Sequence, residues 1–188
     1  FTYKMHSNLN NNRFAIFNME GKYINTIGKF TNVIGVESYD EINEAFTSEY
    51  ATNFKDRIFI SYKLTDLIEI YDINGELITQ LFGPDHFVPS VTGKSNGVIS
   101  FAKGTDKTRE ASFNPANAGE EVFVTYSGEL LSKNAYHKNI IHVFDWNGNP
   151  LRKYILDIPI YRTIVDSKNR IIYGFNNDPE CRLIKFNY

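Results

Sequence analysis

One eight-residue pattern occurs three times in this chain and leaves few folds open to it. The copies are Phe14-Ala-Ile-Phe17-Asn18-Met-Glu-Gly21, Ile68-Glu-Ile-Tyr71-Asp72-Ile-Asn-Gly75 and Ile141-His-Val-Phe144-Asp145-Trp-Asn-Gly148. Each sets apolar residues two apart, then an aromatic, then Asn or Asp, then a glycine four residues after the aromatic. Each is followed by a second short apolar segment: Tyr23-Ile24, Leu77-Ile78 and Leu151. Alternation, an Asn-Gly or Glu-Gly corner and renewed alternation describe a β-hairpin. The glycine supplies the positive φ of such a turn at no steric cost.

A second element repeats upstream of each hairpin. Arg57-Ile-Phe-Ile-Ser-Tyr62, Glu121-Val-Phe-Val-Thr-Tyr126 and Arg170-Ile-Ile-Tyr-Gly-Phe175 each read as a strand by their period of two, and Phe1-Thr-Tyr3 matches the end of the same element. A further strand is expected before it, at Tyr161–Val165 and, with a weaker pattern, at Ala45-Phe46 and Ala111-Ser-Phe113. The repeating unit therefore has four strands, a to d. The turn glycines at 21, 75 and 148 are 54 and 73 residues apart, so extra length lies between d and a (84 to 109) and between b and c (127 to 139). Four-stranded antiparallel units joined by loops of variable length are the signature of a β-propeller. A β-sandwich also uses short strands, but nothing in its architecture calls for a repeated pattern. The expected fold is all-β, one propeller domain over residues 1–188 with about three to four blades. Strands add up as three, four, four and three, with b and c present in both partial units. That count suggests the C-terminal part of a larger ring, expected to self-associate or to pair with a missing N-terminal half.

Composition narrows the partners. Formal net charge is −2, which gives no general attraction for nucleic acid. Apolar runs are a few residues long, so no transmembrane helix is expected. The lone Cys181 rules out an internal disulfide framework and a cysteine zinc site.

The hairpins Ile68-Glu-Ile-Tyr-Asp-Ile-Asn-Gly-Glu-Leu and Ile141-His-Val-Phe-Asp-Trp-Asn-Gly-Asn-Pro, with the closing stretch from Lys168-Asn-Arg-Ile-Ile-Tyr to Leu183-Ile-Lys-Phe-Asn-Tyr, resemble the TolB-like six-bladed β-propeller proteins common in Bacteroidetes. NHL-type propellers are similar at this level. The resemblance implies a six-bladed ring and, often, an exported lipoprotein of the periplasm or cell surface. It implies no reaction, because no catalytic motif accompanies it.

Strands of a meander run alternately up and down, so the a–b and c–d turns share one end of the blades and the b–c and d–a loops the other. Both long loops fall at this second end, where binding is expected to concentrate. His6 and His137 in b–c loops and His86 in a d–a loop fall there too, without the spacing of a metal site. Gly93-Lys94-Ser95 lacks the first glycine of a phosphate loop, since position 88 is Val88. Asp72-Ile-Asn74 and Asp145-Trp-Asn147 lack the distal Glu of a calcium loop and are read as turns. Ser127-Gly128 lacks the glycine of a nucleophile elbow, Thr125 standing in its place. No cofactor is expected. The candidate ligand-binding residues are His86, Arg109, Glu110, Tyr136, His137, Lys138 and Arg162, an aromatic, imidazole and guanidinium set suited to a sugar or a carboxylate. The expected function is a binding or scaffold module that presents its long-loop face to a glycan, peptide or protein, and a small-molecule ligand is a further expected partner. The alternative is a hydrolase or lyase working in the central channel, which would need acids or histidines from several a strands aimed at one axial point. The a strands offer only Glu110, Arg162 and Asp166.

Overall fold

A computed structural model describes residues 12–29, 42, 44–95, 100–133, 138–176 and 179–188. Among the described residues the elements are strands apart from a three-residue 3-10 turn at Leu131–Lys133 and a short helical turn before Phe46, and the sheets are antiparallel. The first sheet pairs β1 (Asn12–Phe17) with β2 (Tyr23–Lys29). The second has β3 (Ser48–Thr52), β4 (Arg57–Tyr62), β5 (Leu67–Asp72) and β6 (Leu77–Phe82) in chain order. A hairpin of β7 (Val91–Ser95) and β8 (Ser100–Gly104) follows. The next four-stranded sheet has β9 (Ser112–Asn117), β10 (Glu121–Tyr126), β11 (Lys138–Asp145) and β12 (Pro150–Ile160), and the last has β13 (Arg162–Asp166), β14 (Ile171–Asn176) and β15 (Arg182–Asn187). Strand neighbours are always sequence neighbours, which is the meander of a propeller blade. We number the blades I (β1–β2), II (β3–β6), III (β9–β12) and IV (β13–β15).

The repeated strands are the best buried. Along β4 and β10, five consecutive residues are buried, because each of these second strands is covered on both faces by neighbouring blades. Three apolar clusters fill the spaces between blades. Phe46, Ile58, Ile60, Tyr62, Leu67 and Tyr71 of blade II meet Phe14 of blade I. Phe59, Ile68 and Ile70 meet Val122, Val124, Phe144 and Trp146 of blade III. Phe123, Ile141, Val143, Leu156 and Ile160 meet Ile172, Val165 and Phe186 of blade IV. Inner strands β3, β9 and β13 lie side by side. The Asn117 amide donates to Thr52 O at 2.7 Å and the Asn114 amide to Thr163 O at 2.8 Å, so β9 is tied to both neighbours.

At the c–d corners, Gly21, Gly75 and Gly148 have φ of +78°, +84° and +89°, as the repeat requires. The Asp72 carboxylate accepts from the backbone N–H groups of Asn74 (2.9 Å) and Glu76 (2.8 Å). Asp145 clasps Asn147 and Asn149 in the same way. These aspartates are filled by turn donors, which holds the Asp72 carboxyl below its ordinary range, the Glu76 N–H contributing most.

Four expectations need correcting. Ala45 and Phe46 are not strand but a buried helical turn, with Phe46 N–H on Ile42 O, and strand a of blade II begins at Ser48. An apolar pair marks burial, not strand, when it is too short to show a period. The 84–109 segment is not all loop, since β7 and β8 occupy its middle. Lys138 is not in the b–c loop. It opens β11 and is fully buried. Expected strand a from 111 to 113 is realised as β9, shifted by a residue and bulged: Asn114 takes φ +53° before Pro115, and the register slips opposite Phe123–Thr125. Phe1–Tyr3 lies outside the described residues.

Candidate functional site

The two long connections are fastened together at one end of blades II and III. Arg109 bridges to Leu130 in antiparallel fashion, Glu110 N–H donates to Glu129 O (2.9 Å), and Gly128 N–H donates to Glu110 O (2.8 Å). Side chains finish the brace. Arg109 Nε donates to Gly128 O at 2.7 Å and its Nη2 to Asp85 Oδ2 at 3.2 Å. The Tyr126 hydroxyl donates to the same Asp85 oxygen at 2.6 Å. Gly128, at φ +76°, has to be glycine here: a Cβ would sit 2.6 Å from Asp85 Oδ2.

The segment carrying Asp85 is itself held by Asp66, in the b–c turn of blade II. Asp66 Oδ2 accepts from the backbone N–H of Asp85 (2.8 Å) and His86 (2.9 Å), and Asp66 O accepts from Gly83 N–H (2.7 Å). Burial raises the Asp66 carboxyl above its ordinary range, with the two backbone donors opposing. His86 adopts φ +51° and stacks on Phe82, ring centroids 5.9 Å apart. The Arg109 guanidinium lies 4.7 Å over the Phe87 ring.

Beside this brace a groove of about 570 Å³ opens between blades II and III. Its blade II side runs from Leu81 and Phe82 to His86. Its blade III side includes His142, Phe144 and Lys153. His142 and Lys153 are cross-strand partners and so share a face. The His142 ring packs against Tyr126 at 4.9 Å. Burial, with Lys153 adding to it, lowers the His142 pKa.

A second polar group lies on the inner strands. Arg162, at the start of β13, pairs with both carboxylate oxygens of Glu49 on β3 (3.0 and 3.2 Å) and donates to Asn114 Oδ1 on β9 (3.0 Å). Lys138 Nζ lies 3.1 Å from Glu110 Oε2. The two form a buried ion pair. Lys63 approaches Glu110 from the other side at 3.9 Å. Phe113 carries both cations on its ring, Lys138 Nζ at 4.7 Å and Arg162 Cζ at 5.0 Å. Burial lowers the Lys138 pKa, and Glu110 partly restores it. Glu49 and Glu110 are thus each engaged by cations.

The expected single cluster is therefore two. His86 lines the groove and Arg109 braces the loops beside it, while Lys138, paired with Glu110, and Arg162 meet over the Phe113 ring of β9. The division falls between Arg109 and Glu110 because successive residues of an extended chain point to opposite sides. Tyr136, His137 and His6 lie outside the described residues. Sequence reasoning missed Asp66, Asp85, Tyr126 and His142. The repeat held a signal for two of them. Tyr126 stands where Tyr62 stands in strand b, and His142 where Glu69 stands in strand c, and in blade II that tyrosine donates to that carboxylate at 2.5 Å.

The family comparison agrees with this architecture. The sequence matches the family described as TolB-like 6-blade propeller-like over residues 2–168. Among solved structures the chain is similar to a member of the DUF4221 family from Bacteroides vulgatus, at 12% sequence identity and a TM-score of 0.49. The match covers 96% of this chain and 56% of that one, so the chain spans about half the length of that protein. Curated proteins give no match. Repeated four-stranded meanders, glycine corners and a family match over most of its length place this chain in the TolB-like six-bladed propeller-like family.

Proposed function

We propose that this propeller is a binding module whose ligand, a small molecule, glycan, peptide or protein segment, is received in the groove between blades II and III, beside the brace of its long loops. The observation that carries the reading is the brace. Asp85, Arg109 and Tyr126 fix two long connections to each other beside an open groove. A fixed loop scaffold around a cleft of this size suits ligand capture, for which volumes of about 300–1,000 Å³ are usual. The opposite end also has a cleft, of about 610 Å³ between blade I and the Asn74–Leu77 corner, but no long loop frames it and the corner's polar groups are consumed by their own backbone. The test is a panel of glycans and peptides titrated against the wild type, Phe82→Ala at the groove and Asn74→Ala at the opposite end. Phe82→Ala is expected to weaken any ligand at least fivefold, with Asn74→Ala unchanged. A ligand lost with Asn74→Ala and indifferent to Phe82→Ala overturns the reading.

We also propose that the chain works as part of a larger ring. The face of blade IV turned away from blade III carries Ile164 and Leu183, about 70% exposed, together with Phe175. On the facing side of the same sheet, Ile172 is buried against blade III. An apolar sheet face of this kind favours association. Light scattering on the isolated chain is expected to show self-association, and a stable monomer at micromolar concentration would refute it.

A further inference from the structure

The spaces between blades I and II and between blades II and III can be compared position by position, because the repeat aligns them. Glu69 of β5 and His142 of β11 are equivalent, as are their cross-strand partners Gln80 and Lys153. In blade II, Glu69 faces the preceding blade and the space in front of it is filled from there. Arg13 Nη2 lies 2.6 Å from Glu69 Oε2, Gln80 Nε2 donates to Glu69 Oε1 at 3.1 Å, and both members of the ion pair are buried. The internal cation meets an anionic position. In blade III the polarity is reversed. The equivalent positions hold an imidazole and an ammonium, and the space in front of them is the open groove.

No Asp or Glu is among the described residues lining that groove. The neighbouring carboxylate, Asp85, is engaged by Tyr126 and Arg109. Arg152 borders the groove, but its guanidinium is committed to Glu121 on the other face of the blade. Lys153 and the two imidazoles, His142 and His86, are therefore the polar chemistry offered, between walls that include Phe82 and Leu151. Burying an anion there provides the opposite charge that the position lacks, as Arg13 does for Glu69.

Building on the groove as the binding site, we infer that its ligand is a small organic anion: a carboxylate on a planar apolar body, with the carboxylate between His142 and Lys153 and the ring against Phe82 and His86. A ring fits because two stacked aromatic rings, Phe82 and His86, already line the groove.

The test uses 1-naphthoate and its uncharged counterpart 1-naphthalenemethanol, titrated into the full chain and followed through the imidazole proton signals of His86 and His142. Naphthoate is expected to shift both signals saturably and to bind at least threefold more tightly than the alcohol. Lys153→Met should weaken naphthoate about threefold to fivefold, the upper range of an exposed ion pair, and leave the alcohol unaffected. Equal binding of acid and alcohol, or indifference of naphthoate to Lys153→Met, overturns the anion assignment while leaving the groove as a binding site. Absence of any shift at either histidine overturns both. Displacement of naphthoate by a short acidic peptide at lower concentration overturns the small-molecule class in favour of a peptide.

Discussion

Removing the carboxylate alone between blades I and II should cost more than removing both charges. Glu69 is fully buried and accepts from Arg13 (2.6 Å), the Tyr62 hydroxyl (2.5 Å), the Tyr71 hydroxyl (3.1 Å) and Gln80 (3.1 Å). The Arg13 guanidinium lies 5.7, 5.1 and 5.9 Å from the ring centroids of Phe46, Tyr62 and Tyr71. Burial opposes its charge, but Tyr62, Glu69 and Tyr71 together hold its pKa above the ordinary value. In Glu69→Gln the guanidinium stays among three rings without its counter-charge. Breaking a buried pair in this way costs about 3–5 kcal/mol. Arg13→Met leaves Glu69 with three donors, so its cost should be smaller, about 2 kcal/mol. In the double variant Arg13→Met/Glu69→Gln no buried charge remains, and the amide oxygen still accepts from the two tyrosines. Its cost should be about 1–2 kcal/mol, well below the sum of the singles. With a urea m-value of about 2 kcal/mol/M, Glu69→Gln should lower the unfolding midpoint by roughly 1.5–2.5 M, and the double variant by less than about 1 M. Urea unfolding followed by tyrosine and tryptophan fluorescence measures both. Additive single effects, or a Glu69→Gln shift below about 0.3 M, would refute the claim that this pair locks the blades.

The corner glycines separate backbone cost from inter-blade contact. Gly21→Ala, with open space around its Cβ position, should cost about 1–2 kcal/mol through the left-handed φ alone. Gly75→Ala would place Cβ 2.6 Å from Ile27 Cβ and 2.8 Å from Gly28 N, so its cost should be about 3 kcal/mol or more, and equal midpoints for the two variants would count against the contact. His142 should make stability depend on pH. Its folded pKa lies below the unfolded value of about 6.5, so its contribution is complete above that pH and is lost as pH falls toward the folded pKa. The wild-type urea midpoint should drop more between pH 7.5 and 5.5 than that of His142→Gln, and parallel pH profiles would exclude the effect.

The repeat made most of this protein legible. A pattern that returns in Phe14–Gly21, Ile68–Gly75 and Ile141–Gly148 can be satisfied only if each copy buries the same face against a neighbour, so blade, meander and glycine corners follow from local chemistry. Strand b was readable to within a residue because Arg57–Tyr62 and Glu121–Tyr126 are long enough to show their period. The site was not legible, because it depends on contacts between segments that share no pattern. Asp85 reaches Tyr126 and Arg109 across 41 and 24 residues, and Arg162 reaches Glu49 across 113. Lys138 looked like a loop cation until β11 began beneath it and Glu110 arrived from another strand. Glu69 and His142 occupy one position in the repeat, yet one is filled by Arg13 and the other faces a groove. Sequence set the two positions as equivalent; only the tertiary arrangement decided which was closed, because that depends on what the preceding blade places in front of it.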